Sequence, residues 1–246
     1  SAASDVYKRQ DMYTYNTKVS YSRLDKTGKV PYHEIINYLQ DCSTFQSEEL
    51  GVGVEHLKAQ NKAWVMLAHK IQILRELQLG EEIIVGTCPT DFGKVMATRQ
   101  FFIKDRTGAF VVKAESIWGL IDIQERIPIR IREEDYCKYL KETAFDSIRP
   151  SRKLRFTGQG EIVGDVKVHG IDIDTNGHVN NANYLRMISD YLPKDGYYNQ
   201  VEIVYNKEAL EGENIICTKY CEEDGLGMSL KNNDGETHAQ IKFKKI

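Results

Sequence analysis

Leu24-Asp25-Lys26-Thr27-Gly28-Lys29-Val30 recurs in the second half of the chain as Ile173-Asp174-Thr175-Asn176-Gly177-His178-Val179. Asp, Gly and Val coincide, and repeats are the first thing to seek because they set the architecture. Further along, Glu76-Leu77-Gln78-Leu79-Gly80-Glu81-Glu82-Ile83-Ile84 matches Glu208-Ala209-Leu210-Glu211-Gly212-Glu213-Asn214-Ile215-Ile216. A weaker third match pairs the turn at Thr107-Gly108 with the turn at Asp234-Gly235. The order is kept and only the spacing differs, which implies a duplicated domain.

Each half carries the same series of elements. After the Asp-x-x-Gly-x-Val turn, apolar residues recur at three and four: Ile35, Tyr38, Leu39, Cys42 and Phe45, then Tyr184, Leu185, Ile188, Tyr191 and Leu192. That spacing puts them on one buried helix face. Pro31 fits a first helical turn, and Pro193 stops the second helix. Strands are expected over 64–73, 83–87, 95–103 and 109–118, and again over 201–205, 214–220 and 237–243. One helix followed by antiparallel strands, twice, is an α+β pattern. The expected division is a first domain over 1–123, a charged linker over 124–156 with a short helix at 133–142, and a second domain over 157–246.

Composition narrows the function. With 246 residues, 41% hydrophobic and 28% charged, the chain is that of an ordinary globular protein, and no apolar run approaches the roughly 20 residues of a membrane span. Lys plus Arg is 33 against 36 for Asp plus Glu, a net charge of -3, too balanced for nucleic-acid binding built on phosphate neutralisation. Cys42, Cys88, Cys137, Cys217 and Cys221 are scattered, and Cys217 and Cys221 lack the second Cys/His pair a zinc site needs. Free thiols in a reducing cytoplasm are expected, with no metal and no cofactor. Ser1 to Gln10 contain no apolar core for a secretory signal and read as a tail.

The densest polar run is Asp172-Ile173-Asp174-Thr175-Asn176-Gly177-His178-Val179-Asn180-Asn181, just before the second helix. Chain entering a helix exposes N–H groups, so acid, amide and imidazole there are placed for acyl chemistry. Asn180 or Asn181 also reads as a plain helix cap, with Gly177 making the turn. The duplication supplies a control: Thr27 stands at the Asn176 position and Lys29 at the His178 position, so the turn itself needs neither amide nor imidazole. Asp25 matches Asp174, which gives that carboxylate a structural job as well.

Asp174-x-Asn176-x-His178-Val179-Asn180-Asn181, a Tyr-containing helix and a Glu on the next strand resemble the acyl-acyl-carrier-protein thioesterases of bacteria and plants. The resemblance extends from Tyr21-Ser22-Arg23-Leu24-Asp25 to Asn206-Lys207-Glu208-Ala209. It implies two tandem hotdog domains, each a long central helix wrapped by an antiparallel β-sheet. It also implies that Asp174, Asn176, His178 and Glu208 are the catalytic residues, and that the first half holds the acyl chain. Plant members often carry Cys after the Glu, whereas this chain has Ala209, so an acyl-cysteine route through that position is closed.

The implied reaction is hydrolysis of a fatty acyl thioester on the 4'-phosphopantetheine arm of acyl carrier protein (ACP), ending chain elongation in the bacterial cytoplasm. The expected partner is acyl-ACP, with neither nucleic acid nor membrane, and a homodimer is compatible with the resemblance. In this reading Glu208, assisted by His178, activates water, Asn176 fixes the carbonyl or the water, and Asp174 orients the network. Asp174 and Glu208 can exchange roles. Glu208 also reads as a surface carboxylate, since Glu76 is its counterpart. Two other readings compete: an acyl-CoA thioesterase, and an acyl-binding module without turnover. A dehydratase is disfavoured because the chain lacks a His-x-x-x-x-Pro-Gly pattern. Arg149, Arg152, Lys153 and Arg155 form the tightest cationic cluster, as a docking surface for an acidic carrier or as a solvated linker.

Overall fold

A computed structural model describes residues 12–193 and 198–246; the expected tail, Ser1 to Gln10, lies outside the described residues. In chain order the first half contains β1 (Tyr13–Lys18), α1 (Tyr32–Glu49), α2 (Val54–Ala59), β2 (Lys62–Ile73), β3 (Glu82–Phe92), β4 (Ala97–Asp105) and β5 (Phe110–Asp122). Between the halves lie β6 (Ile127–Ile129) and α3 (Glu133–Tyr136). The second half contains β7 (Gly160–Lys167), α4 (Asn181–Met187), β8 (Gln200–Tyr205), β9 (Asn214–Glu222), β10 (Gly225–Lys231) and β11 (Thr237–Lys244).

The eleven strands of the described residues form one sheet, every pairing antiparallel, in the order β1-β3-β4-β5-β2-β8-β11-β10-β9-β7, with β6 added on β5. Outward from the β2–β8 seam both halves repeat one order: β2, β5, β4, β3, β1 on one side and β8, β11, β10, β9, β7 on the other. The seam is a regular ladder from Ala68↔Val204 to Gln72↔Gln200. The α+β expectation holds, and all seven expected strands are present. β1, β6, β7 and β10 were not anticipated. β10 reads Gly-Leu-Gly-Met-Ser-Leu-Lys, and its two glycines obscure the strand signal.

α1 is long because nothing between Tyr32 and Glu49 breaks it. Pro31 sits one position outside the expected first turn, as the N-cap residue. The helix ends where Gly51, at φ +66°, turns the chain and its N–H bonds to Glu48 O. Ile35, Ile36, Leu39 and Cys42 are buried, whereas Phe45 is 44% exposed and packs edge-on against Tyr15. α4 corrects the expectation of a second long helix. It has seven residues and tightens into a 3₁₀ turn at Ser189–Tyr191. Pro193 forces Leu192 to extended geometry, φ -77° and ψ 146°, so the helix cannot continue.

α1 and α4 lie on one face of the sheet, and their apolar residues join both halves in one core that includes Phe101, Leu185, Ile203 and Phe243. The segment between the halves covers part of the other face. Gln100 accepts from the N–H of Ala144 and Phe145, Glu115 from Ser147 and Ile148, and Glu202 from Ser151. Backbone thus satisfies polar groups buried beneath it, while Phe145 and Leu154 pack inward. The helix expected at 133–142 is only Glu133–Tyr136, because the chain is drawn onto the sheet and Glu142 N bonds Pro89 O.

Candidate active site

The two repeated turns have one construction. Asp25 Oδ1 accepts from the N–H of Thr27 (2.8 Å) and Lys29 (3.2 Å), and Gly28 has φ +80°. Asp174 Oδ1 accepts from the N–H of Asn176 (2.8 Å) and His178 (3.5 Å), and Gly177 has φ +83°. Asp174 therefore does the structural job that its counterpart implied. Asp172, buried at the start of the loop, accepts from His169 N and pairs with Arg186 of α4, while Asn183 Nδ2 donates to its carbonyl. Asn180 caps α4, its Oδ1 accepting from Ala182 N at 3.0 Å, so the capping reading holds for this residue.

The second repeated segment brings in the carboxylates. Gly212, at φ +87°, bonds Val168 O as Gly80, at φ +78°, bonds Val19 O. Both turns return a glutamate to the heptapeptide loop. In the first half Glu76 meets Lys29 Nζ at 2.6 Å; in the second, Glu208 Oε2 meets His178 Nε2 at 3.0 Å. An ordinary ion pair thus stands where the other half carries an imidazole–carboxylate pair. Tyr184 Oη accepts from Ala209 N at 3.2 Å, tying the Glu208 loop to α4. Burial raises the Tyr184 phenol, which keeps it neutral beside Glu208 and Asp174.

A cavity of about 650 Å³ lies between α1, α2, the start of β2, β4 and the loop that precedes α4. Asp174, Asn176, Asn180 and Asn181 line it from the second half; Leu57, Trp64, Phe92 and Trp118 supply apolar wall from the first. His178 and Glu208 are absent from that lining. The four candidate residues are therefore two pairs: Asp174 and Asn176 on the cavity, His178 and Glu208 against each other beside it. His178 is 17% and Glu208 36% exposed at the side chain, so both reach solvent in part.

Two groups near the pair, Arg126 and Tyr184, and one at the loop, Lys58, went unanticipated. Arg126, in the turn between β5 and β6, places Nη2 3.2 Å from His178 Nε2 and Nη1 3.9 Å from Glu208 Oε2. Lys58 of α2 reaches Thr175 O at 3.4 Å. Tyr184 was read only as helix face. Gln124-Glu125-Arg126 carries no local signal, being indistinguishable in sequence from a solvated charged turn. Arg149, Arg152, Lys153 and Arg155 are exposed. Burial pushes the Cys42 thiol up to about 12 and those of Cys88 and Cys217 up to about 11, which leaves these three protonated near neutral pH. Among the described residues no His, Cys, Asp and Glu cluster could hold a metal ion, and no helix is long and apolar enough to cross a membrane.

Comparison with known proteins covers nearly the whole chain. Residues 10–139 match the acyl-ACP thioesterase N-terminal domain, and residues 159–245 match the acyl-ACP thioesterase C-terminal domain. A chloroplastic acyl-[acyl-carrier-protein] hydrolase of Cuphea viscosissima is 24% identical over 224 residues, 86% of this chain and 52% of the relative. The chloroplastic oleoyl-acyl carrier protein thioesterase 2 of Arabidopsis thaliana is 22% identical over 266 residues, 93% of this chain and 72% of the relative. The chain spans about half the length of the Cuphea viscosissima relatives it matches. An acyl-ACP thioesterase structure from Bacteroides thetaiotaomicron superposes with a TM-score of 0.84 at 23% identity, covering 94% of this chain and 96% of that one. The 12:0-ACP thioesterase structure of Umbellularia californica gives 0.78 at 15% identity, covering 95% and 97%.

Proposed function

Because the chain belongs to the acyl-ACP thioesterase family, we propose that it hydrolyses fatty acyl-ACP thioesters to free fatty acid and ACP, ending chain elongation in fatty acid biosynthesis. The observation that carries this reading is the 3.0 Å contact of His178 with Glu208, set where the sister turn has only Lys29 and Glu76. A duplicated turn that exchanges an ion pair for an imidazole–carboxylate pair has acquired chemistry the fold does not require.

In the proposed reaction a water hydrogen-bonded to Glu208 loses its proton to that carboxylate as its oxygen bonds the thioester carbon. Asn176, at the cavity, donates its amide N–H to the carbonyl oxygen as negative charge develops there. The C–S bond then breaks, and the proton passes through His178 and Glu208 to the departing pantetheine sulfur. Glu208 is favoured over Asp174 as the base because Asp174 Oδ1 is already engaged by two backbone N–H groups of its own turn. Asp174 then orients the loop.

The finer architecture belongs to the same proposal: a hotdog domain over 1–123 that holds the acyl chain, a linker over 124–156, and a catalytic hotdog domain over 157–246. The repeated strand order outward from β2–β8 supports the tandem arrangement. The apolar cavity wall from the first half supports its role with the acyl chain. The exposed Arg149, Arg152, Lys153 and Arg155 are the proposed docking surface for the carrier, which would present its pantetheine arm to the loop. Five free cysteines support a reducing cytoplasm as the place of action.

The test is a product profile: purified protein with ACP thioesters of C8 to C18 chains and the matching CoA thioesters. Release of free fatty acid with a clear preference for the carrier-bound form is expected. Equal kcat/KM on CoA esters would move the assignment to an acyl-CoA thioesterase, and binding without release would make the chain an acyl-binding module.

A further inference from the structure

Asn61 and Arg126 are the two non-glycine residues with positive φ among the described residues, at 58° and 55°. They lie in facing turns, one before β2 and one after β5. Asp122 Oδ1 clasps both, accepting from Asn61 Nδ2 at 2.8 Å and from the N–H of Gln124 and Glu125 at 2.9 Å. Ile123 N also bonds Asn61 O. Left-handed backbone is unfavourable for a residue with a β-carbon and persists where its surroundings hold it, often at working sites. Here the result is that the Arg126 guanidinium reaches across to the other half and meets His178 and Glu208.

His178 Nε2 has one hydrogen or one lone pair, whereas a guanidinium can only donate and a carboxylate only accept. Nε2 lies 3.0 Å from Glu208 and 3.2 Å from Arg126, so it can serve one of them at a time. A guanidinium 3.2 Å from the ring nitrogen and 3.9 Å from the carboxylate sets several fixed donors and a permanent positive charge against both side chains, which restrains where each can sit. The other polar groups beside the pair are Asp174 in the same loop and the neutral Tyr184 phenol of α4.

We propose that Arg126 is a positioning residue supplied to the catalytic pair by the turn after β5, at the start of the linker, its guanidinium holding the His178 ring and the Glu208 carboxylate in place against each other. This rests on the thioesterase reading above. It also makes the reaction dependent on the linker as well as the second half, since the second half alone does not present the arginine to the imidazole–carboxylate pair.

The experiment compares the full chain with Arg126→Gln and Arg126→Lys. It reads kcat and KM on a carrier-bound acyl thioester and the NMR resonances of the His178 ring. Arg126 is 59% exposed and its charge is screened by water, so Arg126→Gln should lower kcat by only about fivefold, with KM within about twofold. Arg126→Lys, which keeps the charge, should recover most of that loss. The ring signals need no turnover: the His178 ring resonances should move in Arg126→Gln and return part of the way in Arg126→Lys. Unmoved ring resonances overturn the role of Arg126 whatever the substrate, as does a rise in KM with kcat unchanged. If the wild-type chain hydrolyses no thioester while the ring resonances move as expected, the functional reading falls and the positioning role of Arg126 stands. Thermal midpoints of the three proteins separate either result from misfolding.

Discussion

Asn176 and His178 differ from Thr27 and Lys29 in chemistry and hardly at all in backbone, so substitution there tests catalysis with little effect on folding. Asn176→Ala and His178→Ala should each lower kcat about a hundredfold or more, the scale for losing an oxyanion donor or an acid–base group. Lys29→Ala should leave the rate near wild type. Glu208→Gln keeps the shape but cannot take a proton, so single-turnover assays should find it severely impaired. Full activity in that variant would shift the base to Asp174 or His178. With Ala209 buried and the Cys42, Cys88 and Cys217 thiols held protonated, turnover should survive iodoacetamide, and mass spectrometry of enzyme quenched during turnover should find no acyl adduct.

Individual elements carry two further expectations. Asn180 caps α4, and α4 fixes the loop through Asn183, Arg186 and Tyr184. Loss of the cap in Asn180→Ala should cost about 1 kcal/mol of stability by denaturant titration. The linker is pinned to the sheet through Gln100, Glu115 and Glu202, yet it leaves its cations in solvent. Reversing charge at Arg152 and Lys153 should therefore spare the fold. It should raise KM for the ACP thioester and flatten its salt dependence, with little effect on a pantetheine thioester. Equal effects on both substrates would show that the cluster does not dock the carrier.

Across the whole molecule, one core and one sheet join the halves, and His69 lies at the seam on β2. It is 1% exposed, neither ring nitrogen has a hydrogen-bond partner among the described residues, and burial lowers its pKa from 6.5 to about 3. The unfolded chain binds the proton below pH 6.5 while the folded chain does not. The folded state is thus undiminished above pH 6.5 and loses stability as pH falls toward 3, by up to about 1.4 kcal/mol per pH unit from this group. In His69→Leu that part of the acid sensitivity should disappear. Chemical denaturation from pH 7 to pH 4, followed by fluorescence and by circular dichroism, measures the difference and tests whether both halves unfold together.

Much of this protein was legible in its sequence, because turns and short-range periodicity are local. Asp25-x-x-Gly28 and Asp174-x-x-Gly177 specify their hydrogen bonds within five residues, so the duplication, the seven expected strands and the loop bearing Asn176 and His178 could be read directly. The contrast of Lys29 with His178 was likewise visible one residue at a time. Other features depended on what each segment meets in space. Pro193 marks where the second helix stops, but α4 tightens into 3₁₀ geometry before reaching it. The expected helix at 133–142 gives way once Glu142 bonds Pro89 on a strand some fifty residues earlier. His178 and Glu208 become a pair, set apart from the cavity that Asp174 and Asn176 line, only when the turn at Gly212 folds back. Arg126 joins them because β5 and β2 pair in the register that sets Asp122 opposite Lys62, within reach of the Asn61 side chain, an alignment between distant backbones that no nearby residue encodes.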